Sequence, residues 1–153
     1  MSEHWFVIAN QIETKILART GLEKLDHVKE LLNPVGKERN RDLHGKTPGV
    51  SVRSGPHGAG ITHMEGEKMS PHEEAAVVFA KQIDDFLDLS RKNNHFKFLT
   101  VVAEPHFLGK IRSAMNPHVL KTVVDWIEKD LSGASERDLP EVLNLKNSPE
   151  PIQ

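Results

Sequence analysis

Apolar and polar positions divide this chain into two ordered blocks around a stretch with almost no large apolar side chains. The first block opens with residues 5–9, a short apolar run with β-branched members, which predicts a buried strand. Asn10-Gln11 predicts a turn. In residues 12–17, Ile12, Thr14 and Ile16 alternate with Glu13, Lys15 and Leu17, so a second strand and a β-hairpin are expected. Residues 22–32 read differently. Leu25, Val28, Leu31 and Leu32 fall at helical spacing, and Asn33-Pro34-Val35-Gly36 closes the segment. The pattern alone favours a helix there.

Between residues 34 and 70 the pattern disappears. The stretch holds Gly36, Gly45, Gly49, Gly55, Gly58 and Gly60 with Pro34, Pro48 and Pro56. It predicts a long mobile loop, and structureless loops of this length inside a compact domain are usually functional or disordered. Periodicity returns at Ser70-Pro71-His72-Glu73. Ser70 fits a helix cap, Pro71 the first helical position and Glu73 the end of a capping box. Ala76, Phe79, Ala80, Ile83 and Leu87 then form one apolar stripe, with Lys81, Asp84, Asp85 and Arg91 off it. Residues 98–103 are continuously apolar and predict a strand buried on both faces, which favours a sheet covered by helices on both sides. Pro105 predicts the start of another helix, with Phe107, Leu108, Ile111 and Met115 inward and Asn116-Pro117 ending it. Residues 120–131 fit helix and strand alike. Residues 135–145 resemble a short helix with a Ser135/Asp138 box. Residues 147–153 read as a polar, frayed tail. The expectation is one domain over residues 1–146, of α/β class with a mixed sheet.

Composition narrows the functional classes. With 153 residues, one domain with one principal core is expected. The absence of cysteine excludes a disulfide scaffold, thiol catalysis and Cys-ligated zinc. No apolar run approaches the ~18 residues of a membrane span, so membrane insertion is not expected. The start of the chain lacks the features of a signal peptide, which points to the cytoplasm. The net charge of −2 argues against a uniformly basic nucleic-acid binder. That total hides a separation. Residues 34–63 carry Lys37, Arg39, Arg41, Lys46 and Arg53 against Glu38 and Asp42, a net +3, leaving −5 for the remainder.

Several ordered segments resemble the bacterial host attachment protein family, whose members are described as required for attachment to host cells. Val7-Ile8-Ala9-Asn10 with residues 13–16 resembles its first hairpin. Thr47-Pro48-Gly49 is similar to its Arg-Pro-Gly turn, and His63-Met64-Glu65 to the segment before its first helix. Pro71, Glu73, Phe79 and Ala80 match that helix. Ala103, Pro105, Phe107, Leu108, Gly109 and Arg112 match its most specific motif, Ala-x-Pro-x-Phe-Leu-Gly-x-x-Arg, and Lys129-Asp130-Leu131 matches a later one. The resemblance covers residues 5 to 145. It implies a fold similar to the middle domain of archaeal and eukaryotic peptide-chain release factors. By that resemblance residues 25–31 and 122–127 become strands. Release factors carry Gly-Gly-Gln in a basic loop before a helix with a Phe-Ala pair. Here Gly58-Ala59-Gly60 precedes Phe79-Ala80, but Ile61 follows Gly60 where the glutamine is needed, so peptidyl-tRNA hydrolysis is not implied.

These features define the candidate chemistry. Lys37, Arg39, Arg41, Lys46 and Arg53 suit RNA phosphates, Gly58 and Gly60 allow close backbone approach, and His63 adds charge when protonated. The absence of an aromatic between residues 34 and 70 leaves backbone or shape recognition rather than base stacking. The expected partners are the ribosome, tRNA or other RNA, with a protein partner as the alternative. His57, His63, His72 and Glu73 are metal-ligand types, but their spacing fits no compact metal motif; no metal and no cofactor are expected. Glu104, His106, Lys110 and Arg112 follow the buried strand, where ligands bind in open α/β sheets and a helix start favours an anion. Gly109 suggests a close helix–sheet approach. Ser51, Ser54 and His57 share a loop without defining a triad. A non-catalytic module is therefore the leading reading, and a hydrolase ranks last.

Overall fold

The computed structural model describes residues 3–34, 69–131 and 133–151. Its strands are β1 (His4–Ala9), β2 (Glu13–Gly21), β3 (Lys24–Leu32), β4 (Phe98–Ala103) and β5 (Val123–Glu128). Its helices are α1 (Pro71–Lys92), α2 (Pro105–Ala114), α3 (Pro117–Leu120) and α4 (Leu139–Val142), followed by a 3-10 turn at Leu145–Asn147. The strands form one mixed sheet in the order β3-β2-β1-β4-β5. The β1–β2 and β2–β3 pairs are antiparallel, whereas β4 runs parallel to both β1 and β5. The α/β class and the mixed sheet thus match the expectation.

The hairpin forms because Asn10 closes it twice. Its Oδ1 accepts from the Ile12 and Glu13 amides at 2.7 and 2.9 Å, and its own amide donates to the Glu13 carbonyl. Hairpin strands therefore enter the sheet with Val7 opposite Ile16.

Helical spacing misleads in residues 22–32, of which Lys24–Leu32 form β3. Across the β2–β3 pair, Ile16 faces Lys29 while its neighbour Leu17 faces His27, so Val28 is an extra, bulged residue. The bulge reverses the alternation. Leu25 packs with Phe6 and Ile8 on one face of the sheet, and Leu31 with Val7 and Ile16 on the other. The four apolar residues thereby fall at a spacing that imitates a helix. Residues 122–127, equally ambiguous by pattern, form most of edge strand β5.

Each face of the sheet has its own cover. On the first, Trp5, Val7, Ala9, Leu99, Val101 and Ala103 meet the α1 residues Ala76, Phe79, Ala80, Ile83 and Leu87, the stripe read from the sequence. Phe107, Leu108 and Ile111 of α2 complete this layer. Asp84 departs from its expected place off the stripe. It is buried and accepts from the Asn116 amide at 3.1 Å, tying α1 to the cap of α3. On the second face Phe6, Ile8, Leu17 and Val102 meet Leu139 and Leu145, with Leu131, Ala134 and Leu143 at the margin.

Candidate functional site

Parallel pairing puts Ala9 opposite Ala103, so β1 and β4 end at the same edge of the sheet. The Asn10 turn and the start of α2 lie there as well. Asn33 brings the end of β3 to the same corner: its amide donates to the Ile12 carbonyl at 2.8 Å, and its Nδ2 donates to the carbonyls of Gln11 at 3.0 Å and Ala75 at 3.4 Å. Ala75 belongs to the second turn of α1. The last residues before segment 35–68 and the helix soon after it are therefore tied together at one corner.

Both helix starts at this corner are capped from within. The Ser70 hydroxyl accepts from the Glu73 amide at 3.1 Å. The Glu104 carboxylate accepts from the amides of His106 and Phe107, each at 3.0 Å. The anion expected at the start of α2 is thus supplied by the chain itself.

Between the helix starts three charged or titratable groups converge. His106 Nε2 lies 3.6 Å and Lys110 Nζ 3.8 Å from Glu73 Oε2. His106 and Lys110 are one helical turn apart, which puts both on the α2 face turned toward α1. These contacts are longer than hydrogen bonds, so Glu73 acts as a shared counter-charge. Beside them an open groove of about 540 Å³ runs between α1 and α2, lined by Met69, Val77, His106, Gly109, Lys110 and Ser113. Gly109 overturns its expected role. A Cβ built there meets no atom within 4 Å, so no close approach of helix to sheet requires glycine. The residue leaves a bare patch of helix in the groove.

The rest of the α2 motif builds the fold. Pro105 occupies the first turn of the helix. Phe107 is fully buried and stacks on Phe79 with ring centroids 6.0 Å apart, and Leu108 is buried beside it. Arg112 points elsewhere than Lys110: its guanidinium lies 4.4 Å from the centroid of the Trp126 ring, a cation–π contact across to β5. Lys37, Arg39, Arg41, Lys46, Arg53, Gly58, Gly60 and His63 lie outside the described residues, as do His57, Ser51 and Ser54. Of the metal-ligand types only His72 and Glu73 are described, and Glu73 is engaged by His106 and Lys110. No group of three or more His, Asp or Glu among the described residues is placed to hold a metal ion. No helix among them is long and apolar enough to cross a membrane.

In the sequence Glu73 stands with the metal-ligand types leading into α1 and His106 and Lys110 with the residues after β4, and nothing local joins them. The His106/Lys110 spacing was the available signal; the packing of α1 on α2, which supplies Glu73, is tertiary. Asn33 was read only as part of a stop, although an Asn next to Pro at a strand end is a natural partner for neighbouring carbonyls.

A family model described as "Protein required for attachment to host cells" matches residues 5–143, and the chain belongs to that family. No curated protein matches the chain.

Proposed function

We propose that this member of the host attachment family is a non-catalytic binding module that engages RNA, free or on the ribosome, through the basic segment 34–63. The observation that carries the reading is the separation of charge. A net +3 is concentrated in that segment, within a chain whose total is −2. In this reading Lys37, Arg39, Arg41, Lys46 and Arg53 contact phosphates, Gly58 and Gly60 admit the backbone, and His63 reinforces the contact as it protonates. Two further points support it. Of the motif residues, Pro105 starts the helix, Phe107 and Leu108 are buried in packing and Arg112 is taken up by the Trp126 contact. The resemblance to release-factor middle domains favours the ribosome as the location, and Ile61 after Gly60 turns the reading away from peptidyl-tRNA hydrolysis.

A second reading is a protein-interaction factor that supports attachment indirectly. The family's description and the open groove between α1 and α2 favour it. One pair of measurements separates the two. Under the first, RNA binding followed by fluorescence anisotropy weakens steeply with salt and falls further in the double variant Arg39→Ala/Arg41→Ala, and the protein co-migrates with ribosomes in a low-salt gradient. Salt-insensitive or undetectable RNA binding, with no ribosomal co-migration, sinks that reading and leaves the second.

A further inference from the structure

The outward face of α1 carries apolar and charged groups that no other element among the described residues covers. Val78 is 57% exposed and Leu89 59% exposed, with Val77 beside them. Glu74, Lys81, Asp85 and Lys92 share this side of the helix and are also exposed. Their order is symmetric. Glu74 and Lys92 are equidistant from Ile83 along the helix, as are Val77 and Leu89, and as are Lys81 and Asp85. Each of these three pairs joins opposite charges or two apolar side chains, whereas Val78 is equidistant with Asp88 and falls one residue out of step with Leu89.

We infer that this face binds the same face of a second copy, with the two α1 helices antiparallel about a two-fold axis at the level of Ile83. In that arrangement Glu74 of each copy meets a Lys92, Lys81 meets an Asp85, and the valines meet Leu89. A parallel arrangement sets each charge against its own like, which selects the antiparallel one. The self-complementary patch is what a closed two-fold interface requires. Within one chain Lys81 already reaches Asp84 at 3.4 Å and Asp85 at 3.5 Å, and Lys92 reaches Asp88 at 3.4 Å. The side chains are thus held along the helix surface, where a second helix finds them in place. One helix pair with three apolar side chains per copy covers less than the ~1,000 Å² of a durable interface. The dimer is therefore weak, forms at high protein concentration and loosens with salt.

Sedimentation equilibrium of the full chain over a wide concentration range tests this. Wild-type protein is expected to show a monomer–dimer equilibrium weakened by salt. Val78→Glu with Leu89→Glu is expected to weaken it at least tenfold. Lys81→Glu alone and Asp85→Lys alone each create like-charge contacts across the axis and weaken association. Their equimolar mixture is expected to associate again, because each chain then supplies the charge that the other lacks. The double variant Lys81→Glu/Asp85→Lys is expected to dimerise by itself, which a parallel pairing forbids. Rescue by mixing cannot come from charge pairs within one helix. A strictly monomeric wild type, or single variants that associate as well as wild type, overturns the inference.

Discussion

The two faces of the sheet are closed by different means. The first face is covered by a helix of 22 residues and one of 10, whose buried side chains are almost all apolar. The second is covered by a C-terminal segment whose one α-helix among the described residues has four residues and whose fully buried apolar side chains are Leu139 and Leu145. So short a segment has little apolar area with which to offset the loss of chain entropy. Arg19 supplies what is missing. It is 1% exposed, and its guanidinium donates to the carbonyls of Ser148 at 2.6 Å, Leu22 at 2.8 Å and Leu145 at 2.9 Å. Glu150 lies 3.9 Å from its Nε. Ser148 and Glu150 belong to the stretch expected to fray, and the sheet reaches out to hold both. A broad amphipathic helix needs only surface to stay in place, whereas a short irregular segment needs its carbonyls satisfied one by one.

The comparison breaks at Arg19 first. Arg19→Met keeps the buried stem but removes every donor, and breaking a buried charged network costs about 3–5 kcal/mol. Phe107→Ala on the opposite face costs a similar ~3–5 kcal/mol through its cavity. The two losses differ in place. Native-state hydrogen exchange of Arg19→Met should show amides of Leu139–Val142 and the 3-10 turn opening far more than those of β1 and β4. Phe107→Ala should lower protection across the whole sheet. Equal, uniform loss in Arg19→Met contradicts the latch.

A pH titration sharpens the same contrast, with a somewhat smaller effect. His4 points to the second face, stacks on Phe6 and shares a hydrogen bond of 2.8 Å with the Thr100 hydroxyl. Burial, and secondarily the positive charge of Arg19, lower its pKa from 6.5 to about 4. Above pH 6.5 the ring is neutral in both folded and unfolded chains and adds no pH dependence. Between pH 6.5 and 4 the unfolded chain takes up a proton that the folded chain refuses, so stability falls as pH falls, by at most about 3 kcal/mol. Asp88, whose pKa is lowered chiefly by its hydrogen bond from Arg91, loses its contribution only as pH falls below the ordinary carboxylate range. The windows therefore separate. Urea denaturation at a series of pH values should show the decline in wild type and a much flatter curve in His4→Gln. Identical curves would rule out His4 as its source.

The first face was far more legible than the second. The capping residues at Ser70 and Pro71, the α1 stripe and the apolar run of β4 all follow from local rules that tertiary packing then respects. Edge strands were not legible by pattern. In β3 the bulge at Val28 breaks the period, and most of the strand is exposed on both sides. Arg19 lies beyond residues 12–17, where the alternating pattern places the second strand. Strand parity was the signal: it lies two residues from Leu17 and so on the same face, directed at the second core. What it bonds there, carbonyls more than a hundred residues away, no local rule specifies. For the same reason the corner formed by Glu73, His106, Lys110 and Asn33 emerged only once the helices were placed.

The smallest effect concerns the first face alone and has the opposite sign. Gly109 sits inside α2, where glycine costs about 1 kcal/mol relative to alanine. Its neighbours do not demand it: a Cβ there meets nothing beyond the backbone of its own helix within 4 Å, and its backbone does not adopt a positive φ. Gly109→Ala is therefore expected to stabilise the protein by about 1 kcal/mol, chiefly by restricting the unfolded chain. Thermal denaturation should register this as a higher Tm, unlike any change at its buried neighbours Phe107 and Leu108. A Tm that is unchanged or lowered means that a methyl group at this point meets resistance in the groove between α1 and α2. If the gain appears, the fold has no need of this glycine, and the bare helix it leaves beside His106 and Lys110 is open to whatever the groove receives.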